Sequence, residues 1–520
     1  MPRSARRSDH VLEILFEVTA REAKFARKAR DRSRFCGEEL EELPADCHGH
    51  GIIPGSRGFA TFSGASPHMN QPSSLLTIPF STSGSVGLDF GTTNSALARL
   101  DGSTPVVATF DAQGQTTQTF PSVLYFERLR SLTGTRLVSH AGPDAIDTYL
   151  KAEEKGRLIQ SLKSYLADRR FDRTTVFSQQ YALEDMIALI ARHMLSDAVH
   201  AFETVPSRVV VGRPVHFSNA RGGEDDDFAL GRLTAAVKQC GFKDIVFEYE
   251  PVAAAYSYEQ TLQKDELILI GDFGGGTSDF SILHVGPAVK RRGRTSADIL
   301  GTDGVAIAGD AFDKQIVRHL VAPRLGHGSE YLSPPSKFLP VPSWPYEHLE
   351  RWHHLSFLNT GRNLEMLERI ALHASIPERI EAFVALIKGE LGYQLHESVR
   401  RTKFALTTDT ETAFEFSSGP VSIVKKVTRA EFEKWIEPEL AAIAECVDRL
   451  IRQTDIAAVD IDHVFLTGGS AFVPAVRRLF VERFGLAKIT GGQELTSVAA
   501  GLALRAAEEW PTGWPTGVRQ

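Results

Sequence analysis

The sequence predicts an α/β protein built from two related lobes around a shared cleft. Three observations carry this reading. A buried-strand pattern running into an Asp and a glycine-containing turn occurs twice, a third apolar strand ends in paired glycines ahead of a helix, and two helices rich in small residues occupy matching places in the two halves. At 520 residues the chain has room for two to four domains and a sizeable core.

The elements follow in order. Residues 1 to 35 are Arg-rich around "HVLEILFEVTAREAKFA", the pattern of an amphipathic helix, but Glu13, Glu17 and Glu22 argue against an acid-poor transit peptide. From Gly49 to Ser85 the composition turns to Gly, Ser, Pro and Thr, as in a flexible linker. Cys47 with His48 and His50 is either part of a zinc set or adventitious proximity, and no further ligands accompany it. Residues 1–82 are therefore expected to form a flexible extension that can be removed without loss of ligand binding, with Met69 as an alternative initiator. Residues 83–265 would form the first lobe and 266–493 the second, including a divergent insertion at 321–429. Residues 494–510 would form a helix returning to the first lobe, and 511–520 a tail.

The first hairpin is "VGLDFGTTNSALARL" at 86–100, with Asp89, Gly91, Thr92 and Thr93 at its turn. The second is "LILIGDFGGGTSDFSIL" at 267–283, where an apolar strand meets Asp272, then Gly274, Gly275, Gly276, Thr277 and Asp279. Glycines there let backbone N–H groups approach a ligand, and successive amides form a concave anion site suited to phosphate. Carboxylates beside a phosphate need a cation between them, and Mg²⁺ takes such shared oxygen ligands. The alternative is an ordinary glycine-rich hairpin turn. Between the hairpins, "VFEYEPVAAAYSYE" places Glu250 ahead of Pro251 and three alanines. "VFLTGGSAFVPAVRRLF" brings a strand to Gly468 and Gly469 and then to a helix with Pro474 in its early turn. "SVAAGLALRAA" supplies the second small-residue helix. No GxxxxGK[ST] occurs, so this is not a P-loop site, and the absence of HExxH and GxSxG counts against zinc-protease and serine-hydrolase readings.

A net charge of −7 and a pI near 6.2 give no global attraction to nucleic acid or an anionic membrane, so neither is expected as a partner. The basic run Lys290, Arg291, Arg292 and Arg294 reads as a solvated hairpin loop. Cys36, Cys47, Cys240 and Cys446 form no CxxC pair, which suits a reducing, cytoplasmic location. No apolar run reaches the roughly 18 residues that span a bilayer.

Together these segments resemble the heat-shock protein 70 (DnaK) family of the actin-like ATPase superfamily. "LDFGTTNS" resembles its first phosphate loop, "EPVAAAY" its first connecting helix, "GDFGGGTSDFS" its second phosphate loop, "LTGGSAFVP" its adenosine loop and "GGQELTSVAAGLAL" its second connecting helix. The resemblance spans about residues 85 to 507. It implies two actin-like lobes, which are duplicated ribonuclease-H-like domains, around a cleft for ATP or ADP with Mg²⁺. Asp89 and Asp272 would approach the metal through its waters, with Glu250 beside the attacking water. Thr92, Thr93 and Thr277 would meet phosphates or that water. "LIQSLKSYLADRRF" resembles the stretch carrying the catalytic lysine, matched by Lys163. "GDAFD" at 309–313 puts Gly309 beside the cleft, "RRTKFALT" puts Lys403 and Thr407 near the nucleoside, and Gly468, Gly469, Ser470 and Phe472 line the adenosine loop. Arg400 stands where the family has a glutamate and Phe472 where it has an arginine, and an aromatic ring there can stack on a base.

The resemblance further implies polypeptide clients or co-chaperones as partners. The chain is expected to lack the interdomain linker, the β-sandwich peptide-binding domain and the helical lid, as in the shortened YegD-like branch. Residues 321–398 depart most from the family. There the aromatic and histidine cluster Trp344, Tyr346, Trp352, His353 and His354 reads as core packing or a partner surface. The expected activity is Mg²⁺-dependent ATP hydrolysis by a chaperone-like protein. The alternatives are a small-molecule kinase of the same superfamily and a regulatory or structural module that binds ATP without turning it over.

Overall fold

The structure, a computed structural model, describes residues 78–511 apart from 113, 132–133, 155, 334, 352–353 and 492–495. The Arg-rich segment, Cys47, His48, His50, Met69 and the tail beyond residue 511 lie outside the described residues.

The first lobe begins with the short strand β1 (Phe80–Ser81) and continues through β2 (Val86–Asp89), β3 (Asn94–Asp101) and β4 (Thr104–Val107). Later in the chain come β5 (Val205–Pro206), β6 (Arg208–Arg213) and β7 (Asp244–Tyr249), which leads directly into helix α1 (Glu250–Glu259). The main sheet runs β7-β6-β2-β3-β4. β2, β3 and β4 form an antiparallel meander, whereas β6 and β7 add in parallel beside β2.

The second lobe repeats this plan. β8 (Glu266–Phe273), β9 (Ser278–Val285) and β10 (Ile299–Val305) form the meander. Helices α2 (Gly309–Ile316) and α3 (Gly392–Thr408) lead on to β11 (His463–Thr467) and β12 (Ile489–Gly491), which add in parallel beside β8, and helix α4 (Ser497–Glu509) follows. The sheet order β10-β9-β8-β11-β12 therefore repeats the five-strand path of the first lobe, whose sheet carries one further strand, Phe120–Pro121, beside β3. β8 is buried on both faces at nearly every position, which explains its continuous apolar run.

Each lobe has its own core, one around Val86, Leu88 and Leu195 and the other around Phe273, Phe280 and Phe480. A third cluster lies where α1 meets α4, joining Val252, Ala253 and Tyr256 to Val498 and Leu502. The small residues predicted for close helix packing therefore serve at the junction of the two lobes.

The N-terminal boundary shifts. β1 pairs in parallel with β5, Ser207 N–H donates to Ser81 O at 2.8 Å, and Phe80 packs edge-on against Phe242 with ring centroids 5.5 Å apart. A cut after residue 82 removes this strand, so the fold of the first lobe begins by residue 78. The linker-like composition hid it, because a two-residue strand has no periodicity to read. A chain starting at residue 78 is expected to be more stable than one starting at 83 by about 1–2 kcal/mol, the scale of burying one large side chain. Urea unfolding of the two truncations measures the difference.

The basic run is also corrected. Pro287–Arg292 is a short helix, not a hairpin loop. Arg292 pairs with Asp298, while Arg294 is buried 2.9 Å from Glu259 and 4.4 Å above the Tyr256 ring. Lys290, Arg291 and Arg292 remain exposed, as expected of solvated charges, and only around Arg294 does an acidic partner distant in sequence, Glu259, replace solvent.

The divergent segment contains helices Gly361–His373 and Pro377–Lys388. Tyr346 is core, stacked on Phe383 at 4.8 Å with its hydroxyl donating to Leu325 O at 2.8 Å, whereas Trp344 is 38% exposed. His354 Nε2 lies 2.5 Å from the Tyr165 hydroxyl of the first lobe. Trp352 and His353 lie outside the described residues.

Candidate functional site

The two glycine-containing hairpins face each other across the lobes. A Cβ placed on Gly275 of the β8–β9 turn would fall 2.4 Å from Thr93 Oγ1 of the β2–β3 turn, and one on Gly276 would fall 3.3 Å from Thr92 Oγ1. The turns therefore approach to within a side chain's thickness, and a β-carbon at Gly275 would push them apart. Gly91 closes the first turn, its Cα hydrogens packed against Asn94 O.

Lys163 enters from the 3₁₀ turn Leu162–Tyr165. The residue ahead of this turn, Ser161, is held at φ 61°, a left-handed conformation that a serine adopts only when its surroundings impose it. Lys163 Nζ is 2.5 Å from Glu250 Oε1 at the start of α1, and both side chains are about nine-tenths buried. The expected catalytic lysine and the carboxylate expected beside the attacking water thus form one ion pair. Burial disfavours the ammonium form of Lys163, but Glu250 and then Asp89 outweigh it and hold the lysine charged.

Around this pair stand Asp89, Asp272 and Asp279. Burial, reinforced by the charge of Glu250, pushes Asp89 up to about 7 and Asp272 well above the ordinary carboxylate range. Asp279 is pushed up to about 7 by burial and by Glu250, against hydrogen bonds from the Thr277 hydroxyl and from Val215 N–H at 2.7 Å. Thr277 therefore spends its side chain within its own hairpin. Four carboxylates facing the Lys163 ammonium leave an excess of buried negative charge, the condition a divalent cation relieves. Among the described residues no cluster of three His, Cys, Asp or Glu side chains is tight enough to enclose a metal alone.

The third junction closes the cleft from the second lobe. Gly468 packs against the backbone of Phe273 at the end of β8, and the turn Gly469–Phe472 follows, with Ser470 buried and Phe472 half-buried. A Cβ on Gly309 would fall 2.8 Å from Ser470 Oγ, 3.3 Å from Lys403 Nζ and 3.5 Å from Gly274 O. Lys403 donates to Gly309 O at 3.1 Å and pairs with Asp313 at 2.8 Å. Gly274, Gly309, Lys403 and Ser470 thus converge. Thr407 does not join them: its hydroxyl donates to Phe404 O in its own helix at 2.7 Å. Arg400, at the position of the family glutamate, pairs with Glu397 one turn earlier.

Sequence reasoning passed over Asp310, Ser164 and Ser218. Asp310, whose N–H donates to Gly275 O at 2.8 Å, is pushed up to about 6 by burial and by Asp313. The quoted "GDAFD" contained it. Ser164 and Ser218 each flank Gly276, and no local pattern marks them.

The family model described as Hsp70 protein matches residues 85–325 and 388–511. The chain belongs to the Hsp70 family. The Hsp70 match skips residues 326–387, which fall inside the segment that departs most in sequence. The chain is 27% identical over 431 residues to heat shock 70 kDa protein 6, chloroplastic, of Arabidopsis thaliana, covering 79% of this chain and 50% of that protein. It is 26% identical over 431 residues to a chaperone protein DnaK of Thermus thermophilus, covering 81% of this chain and 60% of that protein. Against the stromal 70 kDa heat shock-related protein, chloroplastic, of Pisum sativum it is 27% identical over 419 residues, covering 77% and 49%. The chain thus spans about half to three-fifths of the length of these Hsp70 relatives.

The raised carboxyl groups give a measurable consequence. Asp89 and Asp279, near 7, carry protons over part of the neutral range, and a bound cation favours their ionised form. Binding of a cation-bearing ligand here, such as the Mg²⁺–nucleotide proposed below, would therefore release protons at about pH 6–7.5 and progressively fewer above about pH 8, where both groups are already ionised. Titration calorimetry in buffers of different ionisation enthalpy counts them. Equal heats in all buffers at pH 7 would remove these carboxylates from the binding linkage.

Proposed function

We propose that this protein binds ATP between its lobes and hydrolyses it with Mg²⁺, as a DnaK-type chaperone-like ATPase acting in the cytoplasm on polypeptide clients or with co-chaperones. The observation that carries this reading is the facing of the Thr92–Thr93 and Gly274–Gly276 turns beside the buried Lys163–Glu250 pair. Backbone amides of the two turns would grip the phosphates, and Gly309, Lys403 and Ser470 would border the nucleoside end. Asp89 and Asp272 would hold Mg²⁺ through its waters. The metal, when bound, would neutralise charge on the transferring phosphoryl group. Lys163, fixed by Glu250, would place a positive charge beside that group, and phosphoryl transfer depends chiefly on such positioning. Burial of the pair keeps bulk water from screening this charge.

The test is ATP turnover by the purified protein with Mg²⁺, alone and with unfolded polypeptide or candidate metabolites. Basal turnover that responds to polypeptide supports the reading. Turnover only with a phosphate-accepting metabolite would make the protein a kinase, and tight ATP binding without turnover would make it a binding module.

A further inference from the structure

Three hydroxyls from three separate parts of the first lobe converge on one point of the second. A Cβ on Gly276 would fall 3.1 Å from Ser218 Oγ, 3.3 Å from Thr92 Oγ1 and 3.6 Å from Ser164 Oγ. Thr92 belongs to the first turn, Ser164 follows Lys163 on its 3₁₀ turn, and Ser218 lies beyond β6. The two serines are braced together: Asn219, beside Ser218, donates from its side chain to Ser164 O at 3.0 Å and is itself held at φ 68°. Both serines are half-buried, and neither hydroxyl makes a hydrogen bond to another group among the described residues. Two ordered hydroxyls with unused donors thus lie at the mouth of a glycine turn, beside a buried lysine. A hydroxyl can donate to a phosphoryl oxygen or accept from a water, and on a braced backbone it does so with little loss of freedom.

We infer that Ser164 and Ser218 hold the γ-phosphoryl group of ATP during hydrolysis, each donating to one of its non-bridging oxygens, and then hold the phosphate produced. This rests on the ATPase reading above and extends it to two residues outside the motifs. In the step they serve, the water oxygen forms a new bond to the γ-phosphorus as the bond from that phosphorus to the β–γ bridging oxygen breaks. The electron pair leaves with ADP. One water proton stays on the phosphate and the other passes to solvent.

The test uses the full chain with Ser164→Ala, Ser218→Ala, the double variant, and Ser218→Thr as the conservative replacement. Single-turnover hydrolysis of pre-bound ATP is expected to fall about tenfold in each alanine variant and about 10²-fold in the double, less than the roughly 10²- to 10³-fold of a fully desolvated oxyanion donor because both serines are half-buried. Ser218→Thr should retain most of the rate. A second readout needs no turnover: the ratio of ADP to ATP dissociation constants should fall in the double variant, while ADP affinity stays within twofold of wild type. A wild-type rate and a wild-type ratio in the double variant would overturn the inference while leaving the ATPase reading intact. If the wild-type protein itself neither binds nor hydrolyses ATP, the ATPase reading fails and this inference with it. Equal losses of ADP and ATP affinity would assign the serines to general nucleotide binding and also overturn the inference.

Discussion

Lys163→Ala is expected to leave ATP bound and to remove most of its hydrolysis. The lysine is nine-tenths buried, 2.5 Å from Glu250, and kept charged by Glu250 and Asp89. Removing one positioned electrostatic contact of this kind costs roughly 10² to 10³ in turnover, about 3 to 4 kcal/mol. The same change leaves the Glu250 carboxylate buried without its partner, and breaking such a pair commonly costs about 3–5 kcal/mol of stability. The two effects separate in a double variant. Lys163→Ala with Glu250→Gln removes the orphaned charge, so its melting temperature should recover while single-turnover hydrolysis stays low. An unchanged hydrolysis rate in Lys163→Ala would take the lysine out of the chemistry. Recovery of both properties together in the double variant would make its role structural.

The largest effect on stability is expected at Gly501. This residue of α4 lies so close to α1 that an added Cβ would fall 1.6 Å from Ala253 O and 2.5 Å from Ala253 C. No rotamer relieves a clash with backbone, so the helices would have to separate and open the cluster of Val252, Ala253, Val498 and Leu502 that joins the lobes. Gly501→Leu is expected to cost more than about 4 kcal/mol, in the range of severe core disruption, and to abolish cooperative unfolding of the two lobes. Gly231→Ala is the control: that glycine is exposed in the helix Gly223–Gln239 with nothing near its Cβ position, and alanine there should be neutral or stabilising by up to about 1 kcal/mol. Urea unfolding of both variants makes the comparison. A wild-type midpoint for Gly501→Leu would mean that the helix crossing is looser than its geometry requires.

The two positions show how differently sequence exposes structure. Gly501 sits in a run of small residues, "SVAAGLALRAA", whose meaning as a close-packed helix could be read because such runs restrict what can lie beside them. The meaning of Lys163 came through resemblance, and its partner could not be read at all, since Glu250 lies 87 positions away. The same distance effect hid one member of the basic run. Arg294 reads as solvated because its compensating charge, Glu259, comes from another element. Phe80 was hidden for a related reason, as its strand is held by β5 more than a hundred residues later.

By itself the sequence determined the two strand-to-glycine turns, the paired glycines after β11 and the small-residue helices. Each is a local demand of the backbone: a turn that must admit close approach, or a helix face that must admit another helix, restricts residue type wherever it occurs. Only the tertiary structure decided that Lys163 and Glu250 act as a pair, that Thr277 faces Asp279, that Thr407 is turned into its own helix, and that Ser164 and Ser218 meet at Gly276. Those outcomes depend on how the two sheets are brought together. The charge balance and hydrogen bonding of a buried cleft are set by groups that chain folding places within a few ångströms, whatever their separation in sequence.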